Sequence, residues 1–142
     1  MILPSSVLFC CTMNQIRSPM AEGIMKRFHG AQVFVDSAGV REGELDALMI
    51  EAMSEIGVDM LTHHPKTFAG LANQSFDLVI AMSPMAHAAA KHLTRYMHCE
   101  LRQWNIHDPS LIEGSRAARL AAYRATRDQI QQKILDLFSR PD

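Results

Sequence analysis

The stretch that decides the fold is Val7-Leu8-Phe9-Cys10-Cys11-Thr12-Met13-Asn14-Gln15-Ile16-Arg17-Ser18-Pro19. Val7–Cys10 is a short apolar run that reads as a buried strand, and Ser18-Pro19 reads as a helix start, since serine can cap a helix and proline suits its first turn. The residues between them contain no acid and one arginine. If this loop curls around an anion, its backbone N–H groups, the positive end of the following helix and the Arg17 guanidinium converge on tetrahedral oxygens. That is a phosphate cradle, with Thr12, Met13, Asn14, Gln15, Ile16 and Arg17 as its substrate-binding residues. The same positive field favours a thiolate at Cys11, which makes it a candidate nucleophile.

Outward from this loop, short apolar runs alternate with longer stretches of helical periodicity, the pattern of parallel strands joined by crossover helices. The first helix is expected to run to about Phe28, with Gly30 just past its end. Gln32–Asp36 reads as a second strand and 39–44 as a loop. Leu45, Leu48, Met49, Ala52, Met53 and Ile56 then follow helical spacing up to Gly57. Asp77–Met82 reads as a third strand, Ser83-Pro84 repeats the cap-plus-proline signature before a helix over 85–94, and Cys99–Trp104 reads as a fourth strand. After a loop over 105–114 containing Asp108-Pro109, residues 115–139 form a long terminal helix that uses Leu120, Tyr123, Ile130, Ile134 and Leu137. The expected fold is α/β: a small doubly wound, four-stranded parallel sheet with helices on both faces and the phosphate-binding loop after the first strand. Such sheets bind ligands beyond the carboxyl ends of their strands, which directs attention to the loops after Cys10, Asp36, Met82 and Trp104.

These residues resemble the low-molecular-weight protein tyrosine phosphatase family, whose signature is Cys-x5-Arg-Ser near the N-terminus with Asn three residues after the Cys. Here that signature is Cys11, Asn14, Arg17 and Ser18. The resemblance continues through Pro19-Met20-Ala21-Glu22, Asp36-Ser37-Ala38-Gly39, the strand Phe76-Asp77-Leu78-Val79-Ile80-Ala81-Met82 and Asp108-Pro109, so it covers nearly the whole chain in order. It implies Cys11 as nucleophile, Arg17 as phosphate ligand, Asn14 and Ser37 as supports of the loop, Ser18 as an aid to the cysteine as leaving group and Asp108 as general acid. The chain also departs from the family. Ile16 stands where many members have a second, protective cysteine, and Met13 replaces a common glycine. Arg41 and Glu42 follow the Ser-Ala-Gly segment without its usual aromatic, and Ser110-Leu111 replace the tyrosine pair that often follows Asp-Pro.

Length and charge bound the remaining possibilities. A chain of 142 residues fits one domain over 1–142. Fourteen Lys and Arg against fifteen Asp and Glu leave a net charge of -1, which supplies no field for a nucleic-acid backbone or a membrane surface. Three cysteines form no secreted disulfide framework, the start lacks a basic signal region, and no apolar run reaches a membrane span; a soluble cytoplasmic protein is expected. The seven histidines show no metal-ligand spacing, so neither metal nor cofactor is expected. Single residues also have plainer readings. Cys11 alone could be a buried small hydrophobe, Asp108 a turn residue and Ser37 a turn start, and Lys66, which the resemblance would put near the site, reads more plainly as a solvated lysine. Trp104 reads as packing, Cys99 as buried and inert, and Cys10, next to Cys11 on a strand, as facing the other side of the sheet.

The chemistry that results is hydrolysis of a phosphate monoester through a phosphocysteine, with a phosphorylated protein or small phosphate monoester as substrate and phosphate, arsenate and vanadate as competing ligands. Two alternatives stand beside it. One is an arsenate reductase that draws on an external thiol, because arsenate mimics phosphate and only Cys99 lies outside the loop region. The other is a phosphate-binding module without turnover, suggested by the missing aromatic walls.

Overall fold

The computed structural model describes residues 1–71, 73–95 and 97–139. Its elements are β1 (Ser6–Cys11), α1 (Arg17–His29), β2 (Phe34–Gly39), α2 (Ala47–Ser54), β3 (Leu78–Ala81), α3 (Pro84–Leu93), β4 (Glu100–Gln103) and α4 (Arg116–Leu137), with short 3-10 turns at Phe68–Leu71 and Pro109–Leu111. All four strands pair in parallel in the order β2-β1-β3-β4. The chain therefore starts inside the sheet, winds out to β2, and crosses back over β1 to reach β3. That reversal opens a crevice at the carboxyl ends of β1 and β3, where such sheets hold ligands.

β1 is apolar throughout because it is covered on both faces. Val7, Phe9 and Cys11 point into a core shared with α1, α2 and α4, including Met20, Ile24, Met49, Met53, Tyr123 and Ile130. Leu8 and Cys10 point the other way, against Val79, Phe76 and the alanines Ala86 and Ala90 of α3. This is the period of two in a strand, and it puts the adjacent cysteines on opposite faces as expected.

Element existence and order agree with the sequence reading, while several boundaries move for identifiable reasons. β2 starts at Phe34 because its register with β1 runs from Ser6↔Phe34 to Cys11↔Gly39; the amides of Gln32 and Val33 turn back instead to the His29 carbonyl. Ser37 consequently lies within a strand, not in a turn. α2 begins at Ala47, since the Asp46 carboxylate accepts from the Met49 amide and caps it, leaving Leu45 outside the helix and partly exposed. Gly57, at φ 78°, turns the chain after it. Ser83 caps α3 as expected, accepting from the Ala86 amide, whereas Ser115, read as the first residue of the terminal helix, is instead its cap and accepts from the Ala118 amide.

α1 is the exception. It begins at Arg17, its cap position is Ile16, and no side chain caps it. Ser18 has other partners, so it is not the capping residue that its place before Pro19 suggested.

Candidate active site

Cys11 closes β1, and residues 12–16 carry the chain back into α1. The reversal is made at Asn14, whose φ of 53° is left-handed, a region asparagine tolerates better than most residues. The outside of the loop is fastened to the segment after β2. The amides of Val40, Arg41 and Gly43 donate to the carbonyls of Cys11, Thr12 and Met13 at 3.2, 2.9 and 2.9 Å. His63 Nε2 lies 2.9 Å from the Asn14 carbonyl, where it can only donate. With the carbonyls of residues 11–14 engaged on the outside, the N–H groups of the same peptide planes, those of residues 12–15, point away from that side. None of the N–H groups of residues 13–18 donates to another group among the described residues, so these amides are open to an acceptor. The loop and the strand approach so closely that a Cβ at Gly39 would sit 2.7 Å from the Asn14 nitrogen; only glycine fits there.

Inside, Asn14 organises the side chains. Its Oδ1 accepts from the Lys66 amide at 3.0 Å, which fixes the amide orientation, and its Nδ2 donates to Ser18 Oγ at 2.8 Å and Ser37 Oγ at 2.9 Å. Ser37 in turn donates to the Glu22 carboxylate. Because Ser18 Oγ already accepts from Asn14, its own proton is free to point at Cys11 Sγ, 2.9 Å away. A hydroxyl aimed at the sulfur stabilises a negative charge there. Cys11, Asn14, Ser18 and Ser37 are all buried.

Arg17 is 9% exposed and is seated by neutral acceptors: its Nη1 donates to the carbonyls of Met82 and Ile106, both at 3.0 Å. These residues follow β3 and β4, so the strand ends themselves aim the guanidinium. Asp108 Oδ2 is 3.9 Å from Arg17 Nη2, without a hydrogen bond between them. The guanidinium thus keeps donors and charge for an incoming anion.

The other loop residues contribute differently. Thr12 Oγ1 donates to Ser83 Oγ at 3.0 Å, tying the loop to the start of α3. Gln15 Oε1 accepts from the Glu44 amide at 3.1 Å, and the Ile16 side chain is buried in the core. Toward a ligand, Ile16 therefore offers its amide alone. Cys10 Sγ points at the Ile80 carbonyl, 3.7 Å away on the far face, where burial pushes its thiol up. Cys99 precedes β4, at the opposite end of the sheet from the loop, and is half-buried with its thiol also pushed up by burial. The rim residues Arg41, Glu42, Ser110 and Leu111 are exposed. Trp104 packs on Phe9 at 6.0 Å between ring centres and lines a cavity together with Arg17, Met82, Ser83 and Ile106, while Tyr123 is buried with its hydroxyl on Asp46 at 2.9 Å.

Glu22 and His63 were given no supporting role from sequence, whereas the resemblance allowed Lys66 a place near the site. His63 and the Lys66 amide reach the loop, Glu22 acts on it only through Ser37, and Lys66 Nζ pairs with Asp36, so Lys66 is not merely a solvated lysine. His63 and Lys66 are 49 and 52 residues from Asn14, and no local pattern signals contacts of that range. Glu22 lies within the Pro19–Glu22 stretch of the resemblance, which was the available hint. No group of three or more His, Cys, Asp or Glu among the described residues could hold a metal ion.

Comparison with known proteins places this geometry. The family model described as low molecular weight phosphotyrosine protein phosphatase matches residues 6–140. An arsenate reductase of Halalkalibacterium halodurans is 33% identical over 128 residues, covering 90% of this chain and 91% of that protein. An arsenate reductase of Bacillus subtilis is 29% identical, with the same two coverages of 90% and 91%. Among solved structures, a low molecular weight protein tyrosine phosphatase from T. tengcongensis superposes with a TM-score of 0.78 at 26% identity, covering 93% of this chain and 96% of that one.

Proposed function

Because the chain belongs to the low molecular weight phosphotyrosine protein phosphatase family, we propose that it hydrolyses phosphate monoesters through a phosphocysteine on Cys11, with a phosphotyrosyl protein as the default substrate. The observation that carries this reading is the placing of Cys11 at the end of β1, with the Ser18 hydroxyl 2.9 Å from its Sγ, and of the Arg17 guanidinium on the Met82 and Ile106 carbonyls beyond β3 and β4, at the same carboxyl edge of the sheet. The loop amides and Arg17 hold three phosphoryl oxygens, and the Cys11 thiolate attacks phosphorus in line with the ester oxygen. As the P–O bond breaks, Asp108 gives its proton to the leaving oxygen. In the second half Asp108 takes a proton from water, the hydroxide attacks phosphorus, and the P–S bond breaks. The Ser18 hydroxyl then stabilises the thiolate that departs. Asn14 and Ser37 act through the loop they support. No helix among the described residues is long and apolar enough to cross a membrane, and we place the protein in the cytoplasm.

A second reading is favoured by the relatives named arsenate reductase: the same cradle would accept arsenate, with electrons from an external thiol. The arrangement of Cys10 and Cys99 gives no support to a relay within the chain. Hydrolysis of p-nitrophenyl phosphate, measured beside arsenate reduction with glutathione and thioredoxin systems, separates the readings. Hydrolysis that disappears in Cys11→Ser supports the first. Arsenate reduction without hydrolysis supports the second, and phosphate binding with neither activity leaves a binding module.

A further inference from the structure

We propose that Ser110 is the positioning residue of Asp108: it occupies one carboxylate oxygen so that proton transfer runs through the other. The proposal rests on the reading of Asp108 as proton donor given above. Asp108 Oδ1 accepts twice from Ser110, from the amide at 2.9 Å and from Oγ at 2.7 Å. Oδ2 has no hydrogen bond among the described residues, and Arg17 Nη2 stands 3.9 Å from it, on the phosphate-loop side. Asp108 also caps the Pro109–Leu111 turn, which packs on α4. One oxygen therefore faces its own turn and the other faces the site.

An oxygen that already accepts two hydrogen bonds is the poorer place for a proton, so Oδ2 carries it, and Oδ2 is the oxygen within reach of a leaving group. A hydrogen bond donated to a carboxylate favours its ionised form, so losing one raises the pH at which a carboxylate releases its proton. Ser110 thus holds Oδ1 and leaves Oδ2 toward the site in both half-reactions. The charged and titratable groups facing Asp108 are Arg17 of α1 and Tyr123 of α4, and Tyr123 is held in turn by Asp46 at the start of α2. His107 precedes it in its own loop. None of these hydrogen-bonds Asp108 among the described residues, so Ser110 is the one side chain there with a direct hold on it. Sequence reasoning saw this position only as a missing aromatic wall.

The test is kcat/KM against pH for an alkyl phosphate, whose poor leaving group needs the acid, with p-nitrophenyl phosphate as the less demanding comparison. Wild type, Ser110→Ala, Ser110→Thr and Asp108→Asn are compared. Ser110→Ala keeps the amide bond and removes the hydroxyl. The falling limb of the alkyl phosphate profile should move up by about half to one pH unit, and Ser110→Thr should bring it back. Ionisation of Cys11 and of the substrate is common to all the variants and does not produce this shift. A uniform drop with the limb unmoved in Ser110→Ala would make Ser110 a structural turn residue and overturn the proposal while leaving Asp108 as the acid. A limb that survives unchanged in Asp108→Asn would instead overturn the reading of Asp108, and the role of Ser110 with it.

Discussion

At Asn14 one side chain commits all of its polar capacity to tertiary partners, both Nδ2 protons to Ser18 and Ser37 and Oδ1 to the Lys66 amide. All of this is done from a left-handed backbone position that already limits which residues fit. Asn14→Ala should therefore lower stability by about 1–3 kcal/mol, since it leaves buried partners unpaired. It should reduce kcat more than it raises KM, because it frees the Ser18 hydroxyl to turn away from Cys11 while Arg17 keeps its seat on the Met82 and Ile106 carbonyls. Urea titration and steady-state kinetics on one preparation check both halves. The complementary substitution separates binding from chemistry. Cys11→Ser should cut kcat by roughly 10⁴-fold or more, yet still bind phosphate or vanadate by calorimetry, because the loop amides and Arg17 remain. Retained turnover would remove Cys11 from the nucleophile's role.

Elements show which parts of the fold were legible in sequence. A cap is a local bond between a side chain and an amide three residues on, so Ser83, followed by a proline, could be read directly. Ser18 has the same local signature and does something else, because Asn14 and Cys11 claim its hydroxyl and the start of α1 is left uncapped. The fold and the Cys11–Ser18 loop were legible since they rest on periodicity and a short motif, whereas the ties from His63 and Lys66 depend on how β2 and the following segment return to the loop. Glu55, after α2, carries another such tertiary tie. Hydrogen bonds from Arg124, then from Arg127 of α4, hold its carboxyl down from the ordinary 4.5 to about 2. A carboxylate lowered on folding adds stability that is fully present above its unfolded value and is lost as pH falls through its folded one. In wild type this contribution should fade between about pH 4.5 and 2, and in Glu55→Gln the corresponding part of the slope should be absent by thermal unfolding across that range. The rim loops support a prediction of their own. With Arg41, Glu42, Ser110 and Leu111 at the rim, all exposed, those loops supply no aromatic ring of their own. Each missing aromatic pair is worth about 0.5–1.5 kcal/mol. Phosphotyrosine peptides should show a high KM and low selectivity over phosphoserine peptides, and a strong, low-KM preference for phosphotyrosine would contradict this.

At the scale of the whole molecule, the sheet sets the oxidation chemistry of the site by where it puts the thiols. Cys10 and Cys11 are neighbours in sequence, but the alternation of β1 directs one into the α3 side and the other toward the phosphate loop. Bridging them would require β1 to give up its pairing with β2 and β3 at that point. Cys99 enters β4 at its amino end, while Cys11 ends β1 at its carboxyl end. The four residues of β4 alone, at about 3.3 Å each, leave roughly 13 Å of strand between those levels, beyond the roughly 7 Å between Cα atoms that a disulfide spans. Ile16, where a protective thiol would be close enough, is a hydrocarbon buried in the core. A sulfenic acid formed on Cys11 by peroxide consequently has no partner thiol in its own chain, and further oxidation to sulfinic acid is not reversed by thiols. The expected result is progressive loss of phosphatase activity, recovered by dithiothreitol only in part and less with longer exposure. Peptide mapping under non-reducing conditions should show sulfinic or sulfonic Cys11 and no cross-link to Cys10 or Cys99. Saturating phosphate should slow the loss, since it occupies the cradle in front of the sulfur. A Cys11–Cys99 or Cys10–Cys11 bridge whose reduction restores full activity would mean that the sheet opens far more than its paired strands allow, and it would move arsenate reduction by an internal thiol relay to the front.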